Sequence, residues 1–122
     1  MKIYLSRASV SMADDVIAPH PREIEVPDGT SIKDIIGIVA HSDYLPSIGG
    51  GRATWSVVSN VPLAVIAQQW SEPKTFFMLS MKLLDIQNGV LRLHFNYHAQ
   101  IDPEITYQIL SQFNLKSVFV AT

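Results

Sequence analysis

The sequence predicts a single α+β domain over 1–122, a mostly antiparallel sheet with one packed helix at about 32–41 and a C-terminal helix at about 103–113. Three observations predict it. From Val90 to His98, Leu91, Leu93, Phe95 and Tyr97 alternate with Arg92, His94, Asn96 and His98, the period of a strand with one apolar face. The run Val26-Pro27-Asp28-Gly29-Thr30-Ser31-Ile32-Lys33-Asp34-Ile35-Ile36 compresses a strand end, a tight turn and a capped helix start. Asp102-Pro103-Glu104 gives a second helix an N-cap acid, a proline at its first position and an acid in its first turn.

Taken in order, Lys2 to Met12 reads as a strand whose alternation slips near Arg7, where a bulge or bend would restore it. Asp14 to Pro21 is a loop, because Pro19 and Pro21 remove ladder donors. Glu23 to Val26 alternates and returns toward the first strand. In the helix from Ile32 to about His41, Ser31 caps the first turn and Asp34 is its capping-box-like partner. Ile32, Ile35, Ile36 and Val39 form its apolar stripe, and Pro46 and Gly49-Gly50-Gly51 lie in the loop beyond.

Ala53 to Val58 and Leu63 to Trp70 are apolar runs joined by Ser59-Asn60-Val61-Pro62, the composition of a hairpin with an enlarged turn. Phe76 to Leu79 reads as a short strand, and Asn88-Gly89 is the strongest two-residue hairpin signal in the chain. In the second helix Ile105, Ile109 and Phe113 recur every four residues and are expected on the core, with Asn114 as its stop. Ser117 to Val120 is read as an edge strand or a frayed tail.

With 48% hydrophobic and 16% charged residues the chain lies far from the composition of disordered proteins, so a well-filled core is expected. Without cysteine, disulfides, thiolate metal sites and thiol nucleophiles are all excluded, and a reducing, cytoplasmic setting fits. No apolar run approaches the ~20 residues of a membrane helix, and no secretory h-region follows Met1. Acids and bases are interspersed at a net charge of −2, which gives no footprint for a nucleic-acid backbone.

The order strand, strand, helix, further strands, with Val26 to Ile36 at the second strand-to-helix junction, resembles the ubiquitin-like β-grasp superfamily over roughly residues 1–70. Members that act as carriers or modifiers end in a Gly-Gly whose carboxylate is activated. The glycine tract here is internal, so the resemblance implies the fold and not that role. The blocks from Tyr44 to Trp55 and from Pro62 to Trp70 resemble small bacterial proteins, some of them immunity proteins of toxin–immunity pairs such as contact-dependent growth inhibition.

Chemical motifs are sparse. Ser47 to Arg52 could form an anion nest, but it runs from helix to strand and lacks the Gly-Lys-Ser/Thr ending of a phosphate loop. His94 and His98 are the best metal or acid–base candidates by type, yet on one strand their Cα atoms stand ~13 Å apart. His20 and His41 lie apart from them, and no Glu-x-x-His spacing, nucleophile elbow or Ser-x-x-Lys is present, so neither catalysis nor a cofactor or metal is expected. Trp55 and Trp70 are either core residues or aromatic anchors of an interface.

The expected function is a non-enzymatic protein-binding module, an immunity protein that neutralises a basic toxin domain. Its expected contacts are Asp14, Asp15, Glu23, Glu25, Trp70 and Glu72, chosen for charge and exposure, with Asp14 and Asp15 taken as loop acids of little weight in stability. The alternative is a small-ligand-binding or hydrolytic domain using the Gly49–Arg52 loop and the Arg92/His94 face.

Overall fold

Strands β1 (Lys2–Arg7), β2 (Arg22–Glu25), β3 (Thr54–Ser59), β4 (Val61–Ala67), β5 (Lys74–Thr75), β6 (Ile86–Gln87) and β7 (Val90–Tyr97) form one mixed sheet, with helices α1 (Ile32–Ala40) and α2 (Pro103–Ala121). The computed structural model describes residues 1–77 and 81–121, with side chains to residue 112. The strand order is β2-β1-β7-β3-β4-β5, with β6 also pairing β7. Only β1 and β7 run parallel among the described pairs, with Ile3 opposite Leu91 and Leu5 opposite Leu93.

Register decides what each face carries. Trp55 lies opposite Tyr97 and Ile66, and Val57 opposite Phe95 and Ala64, so these side chains share a face with Ile3, Leu5, Leu91 and Leu93. Against that face α1 buries Ile35, Ile36 and Val39, while Ile32 packs at its margin. The helix begins where its sequence says it should: the Ser31 Oγ accepts the Asp34 N–H at 3.1 Å, a cap that contributes about 1 kcal/mol. On the opposite face Val65 and Thr54 are fully buried, where α2 lies along β4.

The turns follow their residue types. Asn88 (φ 53°) and Gly89 (φ 75°) are both left-handed, as a two-residue hairpin loop needs, and Gln87 pairs Val90 across them. The β3–β4 turn is tighter than expected, because Asn60 alone (φ 63°) makes the corner and Val61 and Pro62 already belong to β4. A register shift beside Val57 and Val58 absorbs the change. At its other end β4 stops at Ala67, so Trp70 lies in a loop and not in a strand.

Several expectations are corrected. β1 ends at Arg7 and not Met12, because the Arg7 side chain turns inward to bind Asp14 and the chain leaves the sheet, with Met12 93% exposed. The 14–21 loop contains a 3₁₀ turn at Asp14–Ile17. Of the strand expected at Phe76 to Leu79, Phe76 and Phe77 lie just past β5 (Lys74–Thr75) and in no strand, while residues 78–80 lie outside the described residues. Helix α2 continues past Asn114 to Ala121, so neither the stop nor the 117–120 edge strand forms.

The apolar stripe of α2 also faces the other way. Ile105 and Ile109 are about half exposed, while Pro103 and Thr106 are buried; the Phe113 side chain lies outside the described residues. The reason lies in β5 and its neighbours. Tyr107 stacks on Phe76 with centroids 4.6 Å apart and donates its hydroxyl to Thr75 O, while the Lys74 Nζ reaches both Glu104 oxygens at 2.7 and 2.9 Å. These ties fix the rotation of the helix and turn the isoleucines outward.

Candidate functional site

Topology collects the long connections at one end of the molecule. β1 and β7 both end there, β2 and β3 begin there, and α1 and β4 arrive there, so segments 8–21, 41–53, 68–73 and 98–102 are neighbours. The 41–53 segment links the others. The Tyr44 hydroxyl donates to His20 O at 2.6 Å, the Gln68 Oε1 accepts the Ala53 N–H at 3.2 Å, and the Gln100 side chain donates to Gly49 O. Four expected contact residues, Asp14, Asp15, Trp70 and Glu72, therefore belong to one end, whereas Glu23 and Glu25 sit on edge strand β2.

The acids of the first loop differ sharply. Asp14 is an anchor: the Arg7 guanidinium donates to both its oxygens, at 2.7 and 3.1 Å, and the Val10 N–H adds a third bond at 2.9 Å. Those bonds, Arg7 first, hold its carboxyl far below the usual carboxylate range. Arg7 is itself 8% exposed and also donates to Tyr44 O. Asp15 by contrast is exposed, and its carboxylate is bonded only to Ser9 among the described contacts. The expectation that the pair are both free loop acids holds for Asp15 alone.

Ser9, His20 and Asp14 bring a nucleophile, a base and an acid together without forming a triad. Ser9 Oγ (3.0 Å) and Asp14 Oδ2 (3.6 Å) both approach the same nitrogen, His20 Nε2, whereas a triad needs its acid on the other one. The cluster is structural, and it carries an unusual cap. Met12, Val16 and Ile17 are 93%, 84% and 69% exposed on the loop that this polar network holds.

At the far side of the same end, the C-terminus of α1 and the 68–73 loop enclose a cavity of about 270 Å³. Trp55, Ile66 and Ala53 are among its walls, and Trp70, Glu72 and His41 line it as well. Trp55 is 2% exposed and packs against the Tyr97 ring, tilted at 44° with centroids 4.9 Å apart, so it is a core residue and no anchor. Trp70 is half-buried, with the Lys74 ammonium 5.4 Å from its ring. His41 Nδ1 lies 2.9 Å from Gly37 O and Nε2 3.1 Å from Ser71 O, with Glu72 at 3.9 Å.

The remaining candidates lie elsewhere. Glu23 and Glu25 face the same side as Tyr4 and Lys2, with Lys2 Nζ 3.9 Å from Glu23. They defend a four-residue edge flanked by Pro21 and Pro27 against further pairing. Arg92 and His94 lie toward the start of β7, Arg92 over the Tyr4 ring at 5.1 Å, while the Gly49–Arg52 loop belongs to the opposite end. The two halves of the alternative reading therefore do not converge on one site.

Two serine–histidine pairs also occur on the sheet. Ser6 Oγ is 2.7 Å from His94 Nδ1 between the neighbouring strands β1 and β7, and Ser56 Oγ on β3 is 2.7 Å from the Nε2 of His98, one residue beyond the end of β7. Burial pushes both imidazoles below the ordinary histidine value, so they stay neutral near pH 7. Neither ring has a carboxylate hydrogen-bonded to it among the described contacts, and both serines lie within strands whose N–H groups serve the ladder and offer no oxyanion site. Among the described residues no cluster of His, Asp or Glu could hold a metal, and no helix is long and apolar enough to cross a membrane.

The exposed apolar loop was missed in the sequence because Met12 continues an apparent strand alternation. Its available signal is Val16-Ile17, two large apolar residues between an acidic pair and two prolines, in a segment that can belong to no strand. Comparison with protein families, curated proteins and solved structures finds no match to this chain.

Proposed function

We propose that the chain is a protein-binding module that docks through this loop end. The observation that carries the reading is the exposure of Met12, Val16 and Ile17 on a loop clamped by Arg7, Asp14 and His20. Large apolar side chains in water are unfavourable unless a partner covers them, and a loop already fixed in shape loses little entropy on binding. The half-buried Trp70 adds an aromatic anchor of the kind that concentrates binding energy. Exposed Asp15 and Glu72 at the same end favour a basic partner by charge complementarity.

The strand order β2-β1-β7-β3-β4 with a parallel central pair, and α1 crossing between β2 and β3, supports a β-grasp-like architecture. An immunity protein bound to a basic toxin domain is the form of this function we favour. The test is capture by the immobilised chain from its own cells. Wild type is expected to retain one basic protein stoichiometrically, and the triple variant Met12→Ser, Val16→Ser, Ile17→Ser to lose it while melting as the wild type does. Equal retention by the triple variant contradicts the reading.

A further inference from the structure

His41 makes a contact that its ordinary neutral form cannot make. Both ring nitrogens point at carbonyl oxygens, Nδ1 at Gly37 O (2.9 Å) and Nε2 at Ser71 O (3.1 Å), and a carbonyl only accepts. A neutral imidazole has one N–H, so one of these contacts would set lone pair against lone pair. The imidazolium satisfies both. It also sits at the C-cap of α1, the negative end of the helix dipole.

The two acceptors belong to different elements. Gly37 lies in α1 and Ser71 in the 68–73 loop, so the charged ring joins the two walls of the cavity that holds Trp70. We propose that His41, as an imidazolium, clasps the 68–73 loop onto the end of α1, and that its deprotonation releases the loop and opens the Trp70 cavity. The consequence for partner docking rests on the function proposed above; the clasp itself does not.

Of the charged groups around the ring, Glu72 is the one that favours the charged form. Glu72 from the loop stands at 3.9 Å, Lys33 and Asp34 of α1 line the adjoining groove, and Lys74 of β5 is engaged by Glu104. The Gly37 and Ser71 carbonyls, then Glu72, raise the His41 pKa above its ordinary 6.5. The sign follows. The clasp is fully present below the unfolded value and is lost as pH rises through the raised folded value.

Ring ¹⁵N spectra of the free chain, with acrylamide quenching of tryptophan fluorescence, test this between pH 5 and 9. His41, assigned by its absence in His41→Gln, is expected to titrate above an ordinary histidine. Quenching of Trp70 should rise across the same midpoint, buried Trp55 staying silent, and Trp70→Phe should remove the effect. Glu72→Gln should lower the midpoint, and His41→Gln should leave quenching independent of pH. A His41 that titrates at or below the ordinary value, or Trp70 quenching that ignores its titration, overturns the proposal. Both readouts need no partner, so a failed capture experiment bears only on the docking function.

Discussion

Asp14→Ala is expected to destabilise the protein by about 3 kcal/mol, because it strands the nearly buried Arg7 guanidinium. Asp14 closes three bonds at once: two from Arg7 join the loop to the end of β1, and one from Val10 closes the loop on itself. Urea denaturation would show the loss as a lower midpoint with an unchanged slope, and heating as a fall of roughly 10 °C. Asp15→Ala, one residue on, should change stability by no more than about 0.5 kcal/mol. The Asp14 contribution has a defined pH sign: it is present above the unfolded carboxyl value of 3.8 and disappears as pH falls through the depressed folded value. Equal stability of Asp14→Ala and wild type at pH 7 would show that the clamp is ornamental.

Ile35→Ala is expected to cost about 2–5 kcal/mol, since it empties a fully buried site between α1 and the sheet. Ile35→Val should cost only about 1 kcal/mol, which separates loss of volume from disturbance of the helix. Ile109→Ala provides the contrast. Its side chain is 53% exposed on α2, so the same truncation should be nearly silent there. If Ile109→Ala proved as costly as Ile35→Ala, α2 would be rotated from its described position.

Those contrasts show where sequence reasoning succeeds and where it stops. α1 was legible because cap, stripe and turn agree: Ser31, Ile35, Ile36 and Val39 all point to one helix on one face. β7 and the Asn88-Gly89 turn were legible for the same reason, each being a local pattern with a single satisfying geometry. The stripe of α2 misled because periodicity names an apolar face without saying which neighbour it meets. Tyr107 on Phe76 and Lys74 on Glu104 decided the rotation instead, and both pairs are distant in sequence. Asp14 misled in the same way, since nothing near it in the chain reveals that Arg7 turns inward. Trp70 and Glu72 fell at a cavity that only the meeting of α1 with the 68–73 loop creates.

The loop end as a docking surface is the central claim, and hydrogen–deuterium exchange on the captured complex tests it most directly. Exchange in segments 8–21, 41–53, 68–73 and 98–102 is predicted to slow on binding, most of all at residues 12–17, while the opposite end around Asn60 and Asn88-Gly89 stays unchanged. Protection confined to that opposite end, or to the Arg92/His94 face, would contradict it.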